Sequence, residues 1–460
     1  MFPILNKTVQ IISIIFIYGS VVFAQKEVES LFNQGKYADA IQIGERYTKS
    51  SNQINVGLYY YIGSAYLELA NLSVALEKDA GTFGNLYYQL QIPKNKKEPL
   101  FYYFNGLCLV GLKKNGEAMH SFKSAANTGK KPYADYANIW LHVLNNKKIQ
   151  LKSFDQKLEY EVAFDYSGKQ SNYATNLLDK INAKQLENKH NYYNYLILNI
   201  ALSDHLEKEL QKLNIADTMY VTSLKISDNQ NSVNYLFYNP LVYRYLSLYY
   251  YRMSLKYLVP LEKQVLNPPE KDIIFGKIAK AYQGINYKES LNFFSDATNP
   301  ALQNFYAEIK YKNGAKNDAL DIWQKNVKNK NKIVSAYAGY YLAKYNLNYN
   351  EGLKVCKTAW SAAWDDQELA ILLVDLYIKK QNYTEASQVL DQSYRKSKKN
   401  DPLFLLYYAD CMYNLNPTRD NDTLGALYKL QKSNVIARQL HYYIQGLIAN
   451  RTKLGGEIRK

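Results

Sequence analysis

The chain has 460 residues, a formal net charge of +16 at pH 7 and 46 tyrosines. Its length exceeds what one compact core usually supports, which predicts several domains or one long array. Three cysteines are too few, and odd in number, for a disulfide framework. We expect Cys108, Cys356 and Cys411 to be small buried apolar residues, and a Cys356 to Cys411 bridge is left open.

Residues 1–24 have the pattern of a secretory signal peptide. Lys7 is their only charge, an apolar run covers 11–23, and small residues precede a cut before Gln25. The run is interrupted at Gly19, before it reaches the roughly 20 apolar residues that a transmembrane helix needs. We therefore predict export to the periplasm, the cell surface or the medium, with no transmembrane segment after cleavage. An uncleaved membrane anchor is the alternative.

A short phrase recurs along the chain and predicts a turn followed by the start of a helix. In each copy a small residue stands where two helices would cross closely. The copies place these small residues at Ala40, Ala75, Ala118, Ala319 and Ala386. Helices before the phrases carry aromatic and small residues at helical spacing, as in Tyr59, Gly63 and Tyr66.

The spacing of the small residues is nearly constant. It is 35 residues from Ala40 to Ala75, 33 from Ala319 to Gly352 and 34 from Gly352 to Ala386. A period of about 34 residues is the length of a tetratricopeptide repeat, which is a pair of antiparallel helices. Such a pair cannot bury its apolar faces alone, so neighbouring pairs must stack.

On these residues the chain resembles the tetratricopeptide repeat family, and in particular an exported bacterial protein of that kind. The resemblance is best over 25–129 and 272–401, where Phe122, Trp323 and Leu390 fill the packing positions of the second helices. It implies an all-α fold: a right-handed superhelical solenoid of antiparallel helix pairs with a divergent helical middle third.

The pattern divides the chain into segments. After the signal peptide we predict N-terminal repeats over 25–130, divergent repeats or an inserted helical region over 131–269, C-terminal repeats with a cap over 270–450, and a flexible basic tail over 451–460. The main boundary is at Pro268-Pro269, the strongest helix breaker. Asp401 before a proline predicts a helix cap, and Asp365 with Glu368 predicts a capping box.

No motif of catalysis or metal binding is apparent. His205 and Glu209 share a helix face but lack third and fourth ligands. Ser203, Asp204 and His205 are consecutive, so their side chains diverge on a helix and cannot form a hydrolase triad. We therefore predict a protein that is not an enzyme and has no cofactor or metal. An enzyme with its site in 131–269 is the weakest alternative.

The resemblance implies that the first helix of each pair lines a concave groove. Carried over to this sequence, the groove positions are Tyr60, Leu67, Tyr103, Leu107, Asp375, Lys379, Asp410 and Tyr413. Asp375 and Asp410 occupy the same place in successive repeats and could grip a basic group. The alternative is that the tyrosines pack against neighbouring helices and the aspartates are only solvated.

The expected function is that of a scaffold for protein–protein interactions, with a peptide or protein partner in the groove. We expect another envelope protein as the partner, with an anionic surface or a glycan as further choices because of the positive charge and the tyrosines. A tyrosine-rich glycan-binding accessory protein of the cell envelope is the alternative. Nucleic acid is not expected, since no nucleic-acid motif occurs.

Overall fold

The computed structural model describes residues 24–49, 54–167, 177, 184, 190, 194, 198, 240–264, 267–285, 287–295, 298–396 and 401–415. The chain forms two compact units: unit 1 comprises Met1–Leu69 and Tyr250–Ala437, and unit 2 comprises Ala70–Tyr249 and Arg438–Lys460. The divisions after Leu69 and after Tyr249 fall inside helices. They differ from 130 and 269, where the sequence pattern changes.

Every described element is a helix, and no strand occurs among the described residues, so the predicted all-α class is confirmed. Two short 3-10 helices cover Ile92–Lys94 and Val259–Lys263. The α-helices are α1 (24–33), α2 (Tyr37–Lys49), α3 (Val56–Gln91), α4 (Pro99–Gly111), α5 (Asn115–Asn127), α6 (Tyr133–Leu144), α7 (Phe154–Tyr166), α8 (Pro240–Leu258), α9 (Pro268–Ile285), α10 (Tyr287–Ser295), α11 (Pro300–Lys312), α12 (Lys316–Asn326), α13 (Lys332–Lys344), α14 (Tyr349–Ser361), α15 (Gln367–Lys379), α16 (Tyr383–Lys396) and α17 (Pro402–Leu415).

Helices pair in sequence within each unit. In unit 2, α4 packs on α5; in unit 1, α9 packs on α10, α11 on α12, α13 on α14 and α15 on α16. The first helices of neighbouring pairs, α11, α13, α15 and α17, also contact one another in order. This stacking of helix pairs is the tetratricopeptide-like arrangement that the sequence predicts.

The turns inside the pairs share one backbone geometry. A residue in the left-handed region follows the first helix of four pairs: Lys113 (φ 60°), Gly314 (φ 93°), Asn346 (φ 55°) and Gln381 (φ 57°). The amide of the next residue then donates to a carbonyl five residues back, as from Lys114 to Leu109 at 2.9 Å. This bond satisfies a carbonyl that the helix end would otherwise leave without a partner. The recurring phrase is therefore a helix-terminating turn.

Small residues at the crossings let the paired helices approach closely. A Cβ added at Gly352 would lie 2.2 Å from the carbonyl oxygen of Gly339, and one added at Gly106 would lie 2.5 Å from the Phe122 ring. Ala118, Ala319 and Ala386 have no exposed surface, and neither do the packing residues Phe122, Trp323 and Leu390. The predicted crossing positions are thus confirmed in these pairs.

Two local predictions are wrong. A turn was expected near Asn71, but α3 runs unbroken from Val56 to Gln91 because Ala, Leu and Glu, all good helix formers, surround this position and no proline interrupts them. The cap of α15 is Asp366 and not Asp365, since the Asp366 side chain accepts hydrogen bonds from the amides of Glu368 and Leu369. The predicted cap at Asp401 is confirmed, with Leu403 and Phe404 as donors at 2.9 and 3.1 Å.

The three cysteines are free and buried, as expected. The thiols of Cys356 and Cys411 donate to the carbonyls of Ala336 and Tyr383, so no bridge joins them. In the part of the chain that the structure describes, no helix is both long and apolar enough to cross a membrane.

Several predicted features lie outside the described residues. These are residues 1–23 of the predicted signal peptide, the Ser203 to Glu209 stretch, the irregular end after Leu415 and the tail over 451–460.

Candidate functional site

Three of the predicted groove residues belong to the core. Leu67, Tyr103 and Leu107 are only 2%, 1% and 2% exposed. The Tyr103 hydroxyl donates a 2.6 Å hydrogen bond to Oε1 of Glu159, which is itself buried. These side chains therefore do not line a surface, and their assignment to the groove is corrected. Helical periodicity predicts where the first helices lie. It does not predict which of their faces are covered by neighbouring helices.

Asp375 and Lys379 lie on the surface of α15, but they bind each other. Lys379 Nζ is 2.6 Å from Oδ2 of Asp375, and the Tyr340 hydroxyl donates to the same oxygen at 2.7 Å. Lys379 Nζ also lies 5.3 Å from the centre of the Tyr340 ring. Asp375 is thus already paired within the chain. The side chains of Asp410 and Tyr413, its suggested counterparts, lie outside the described part.

A different set of residues in unit 1 forms a continuous line across the first helices. Lys280 of α9 places its Nζ 4.1 Å from the centre of the Phe305 ring on α11. The Phe305 and Tyr337 rings are 5.0 Å apart, and the Tyr337 hydroxyl of α13 donates to Oε1 of Glu368 on α15. We call Lys280, Phe305, Tyr337 and Glu368 the stripe. The first three are half-buried and Glu368 is exposed.

The stripe continues toward the N-terminal helices of unit 1 through Lys277, one turn before Lys280. Lys277 Nζ lies 5.4 Å from the centre of the Tyr60 ring on α3 and 5.9 Å from that of Phe32 on α1. Ammonium groups over aromatic faces are attracted by the ring quadrupole. Tyr60, the one half-buried aromatic among the predicted groove residues whose side chains are described, therefore adjoins the stripe.

The lysines of this region carry an electrostatic cost. Burial lowers the pKa of Lys277 and of Lys280, and the carboxylates of Glu68 and Glu368 offset only part of this effect. In the described residues, neither ammonium group forms an ion pair within 4.0 Å that would compensate its loss of water. Such groups gain most from an anionic or polar partner that reaches them.

Near the stripe, burial shifts the pKa of a carboxyl group upward, whereas it shifts the pKa of the two lysines downward. Asp401, at the start of α17, accepts a 3.3 Å hydrogen bond from the Tyr37 hydroxyl of α2. Burial, together with the charge of Glu68, raises the pKa of Asp401 to about 6. The same environment, burial first and then the Asp401 charge, raises the pKa of Tyr37. This corner of unit 1 therefore changes its charge near neutral pH.

Unit 2 contains a closed polar cluster around Glu159 of α7. Its Oε1 accepts hydrogen bonds from the Tyr103 hydroxyl and from Trp140 Nε1, each at 2.6 Å. Its Oε2 is 2.7 Å from His190 Nε2 and 2.8 Å from Asn194 Nδ2. Burial alone would raise the pKa of Glu159, but His190 and the other donors lower it. We call these five residues the Glu159 network.

The stripe was missed at the sequence level for a physical reason. Phe305 and Tyr337 occupy equivalent positions of α11 and α13, but Lys280 lies near the end of α9 and Glu368 at the start of α15. No single repeat spacing therefore connects all four residues. The sequence pattern identifies Glu368 only as part of a capping box, although its side chain reaches the neighbouring helix. A useful signal would have been one aromatic or charged residue on each successive first helix.

Among the described residues, no group of three or more His, Cys, Asp or Glu side chains is arranged to hold a metal ion. The stripe instead offers two aromatic faces between a cationic and an anionic end. This combination suits contacts with a polypeptide, because rings cover apolar groups while charges fix orientation.

Comparisons with known proteins return remote structural matches only. No family model and no curated protein sequence matches the chain. Yeast Tom70 is 12% identical, with a TM-score of 0.32, over 96% of this chain and 97% of that one. A chain of the APC/C hetero-tetramer Cut9–Hcn1 is 14% identical, with a TM-score of 0.29, over 93% of this chain and 91% of that one. The TPR domain of P58(IPK) is 14% identical, with a TM-score of 0.20, over 87% of this chain and 100% of that one. The helix pairs themselves, and not these scores, define the fold of the chain.

Proposed function

We propose that this protein is an exported scaffold that binds a peptide or protein partner along the stripe, with another protein of the cell envelope as the partner. The observation that carries the proposal is the stripe itself. One half-buried or exposed side chain from each of α9, α11, α13 and α15 forms a line of aromatic and charged groups.

The energetics of the stripe support binding over a purely structural role. Lys277 and Lys280 have pKa values lowered by burial, so the described residues of unit 1 do not fully compensate their ammonium groups. Groups of this kind are stabilised when a partner supplies carboxylates or backbone carbonyls. Interface energy is also concentrated in a few aromatic and cationic anchors.

Export is the part of the proposal that rests on the sequence. The pattern of residues 1–24 supports it, and the excess of lysine would raise the local concentration of anionic partners in the envelope. No cofactor and no catalytic step enter the proposal.

A glycan-binding protein would need an exposed platform of tyrosine rings. In the described part of the chain, every tyrosine side chain is buried or half-buried. Many of their rings pack against one another, as Tyr66 does on Tyr257. We therefore favour the protein scaffold.

Site-specific photocrosslinking in the native envelope tests this proposal. A photoreactive residue replaces Phe305 or Tyr337 in the stripe, and a matched control replaces Lys325, which is exposed on the second helix α12. We expect one set of protein adducts at 305 and 337 that is missing at 325. Equal adducts at all three positions, or none at 305 and 337 in a folded protein, would reject the stripe as the binding face.

A further inference from the structure

A pocket of about 580 Å³ opens in unit 1 beside the stripe. Its walls come from the start of α1, the start of α3 and the first turns of α9. The lining residues are Gln25, Asn55, Val56, Gly57, Tyr60, Tyr61, Glu270, Ile273 and Ile274. This volume falls in the range of about 300–1,000 Å³ that is usual for ligand pockets.

The pocket has an apolar floor and an unusually exposed apolar rim. Ile274 is 3% exposed and belongs to a core cluster with Leu258, Leu261 and Ile278. Ile273, its neighbour in sequence, is 46% exposed and is the most exposed large apolar residue in the described part of the chain. Ile54, next to the lining residue Asn55, is 40% exposed. Clustered exposed apolar groups beside a cavity are typical of a surface that a partner covers.

The charges around the pocket differ from end to end. Glu270 is exposed in the first turn of α9, and its carboxylate forms no ion pair among the described residues. At the inner end, Lys277 Nζ lies over the Tyr60 ring, which lines the pocket. The Glu270 carboxylate attracts a cationic group of a partner to the outer end of the pocket. The Lys277 ammonium group disfavours a second cationic group at the inner end.

The pocket adjoins the stripe through Tyr60 and Lys277. Tyr60 lines the pocket and contacts Lys277, and Lys280, the first member of the stripe, follows one turn later on α9. A polypeptide that lies along the stripe would therefore reach the pocket directly, without crossing an unrelated surface. This continuity favours a peptide segment as the occupant over a free small molecule.

We propose that the pocket is the anchor site for the partner peptide: it takes one large apolar side chain against Ile273, Ile274 and Tyr60, and the carboxylate of Glu270 pairs with a lysine or arginine beside that anchor. The inference rests on the proposed binding function of the stripe. It adds the chemistry of the partner, an apolar residue flanked by a basic one.

Selection of displayed random peptides on the full chain tests this inference. We expect the enriched peptides to combine Leu, Ile, Phe or Trp with an adjacent Lys or Arg. Ile273→Asp should lower their affinity at least tenfold, because it places a charge on the apolar rim. Leu347→Asp is the matched control, since Leu347 is 39% exposed in the turn after α13 and does not line the pocket.

Charge reversal makes the test specific. Selection on Glu270→Lys should enrich Asp or Glu beside the anchor in place of Lys or Arg. Enriched peptides that lack a basic residue, or that bind equally to wild type, Ile273→Asp and Glu270→Lys, would overturn the anchor site. If such peptides still lose affinity in Lys280→Met, the pocket inference fails while the stripe proposal stands. If they are indifferent to Lys280→Met as well, both fail.

Discussion

The stripe in unit 1 and the Glu159 network in unit 2 use similar residues in opposite ways. In the network, a carboxylate with 1% exposure has four donors within 2.8 Å, and each of its oxygens is satisfied. In the stripe and next to it, Lys280 and Lys277, whose pKa values are lowered, lie over aromatic rings, and no ion pair compensates them within the described residues. A closed set of hydrogen bonds fixes a fold, whereas an open one leaves interaction energy for a partner.

The largest expected effect comes from opening the closed cluster. Glu159→Ala leaves the donors of Tyr103, Trp140, His190 and Asn194 without their acceptor, and we expect the free energy of unfolding to fall by about 3–5 kcal/mol. Denaturant unfolding followed by circular dichroism measures this change.

Glu117→Ala is the matched control. Its ion pair with Lys114 is more than half exposed on both sides, so we expect a change below about 0.5 kcal/mol. Similar losses in the two variants would mean that the Glu159 network is not a closed structural cluster.

The next effect concerns pH and the corner at Asp401. The folded-state pKa of about 6 lies above the ordinary value of about 3.9, so protonation of Asp401 favours the folded state. This stabilisation is complete below pH 4 and is lost as the pH rises through 6. We expect Asp401→Asn, which retains a capping side chain, to remove this loss of about 2–3 kcal/mol between pH 4 and 7.

Urea unfolding at pH 4, 5, 6 and 7 measures the difference between wild type and Asp401→Asn. The stability of the variant relative to wild type should rise with pH. A constant difference across this range would show that Asp401 does not titrate there.

A smaller effect distinguishes Asp375, a predicted groove residue, from the stripe. Asp375→Ala removes the acceptor of Tyr340 and Lys379, and we expect a loss of about 1 kcal/mol because the cluster is partly exposed. Asp318→Ala, whose ion pair with Lys310 is more exposed, should cost less than about 0.5 kcal/mol. Crosslinking at position 337 should be unchanged in both variants. Lost adducts in Asp375→Ala alone would return Asp375 to the binding face.

Much of the repeat architecture could be predicted from the sequence because it depends on local chemistry. Gly314 provides a left-handed turn residue, and Gly352 allows a close helix crossing whatever lies further away. Asp401 caps its own helix, which is again a local interaction. The helix pairs of 272–401 followed from such residues.

The site was harder to predict because it depends on which faces become covered. Tyr103 and Leu107 have the pattern of groove residues, but α7 brings Glu159 onto Tyr103, and burial of that face follows from a contact 56 residues away. Long-range contacts of this kind leave no short pattern.

The central claim, that the stripe serves binding more than folding, is tested most directly by Lys280→Met, with Lys325→Met as the control. Because burial lowers the pKa of Lys280, its charge opposes folding, and removing that charge should raise the free energy of unfolding by up to about 1 kcal/mol. The affinity for the partner captured at position 337 should fall at least tenfold in the same variant, while Lys325→Met changes neither quantity. A less stable Lys280→Met protein that binds this partner as tightly as wild type would contradict the account.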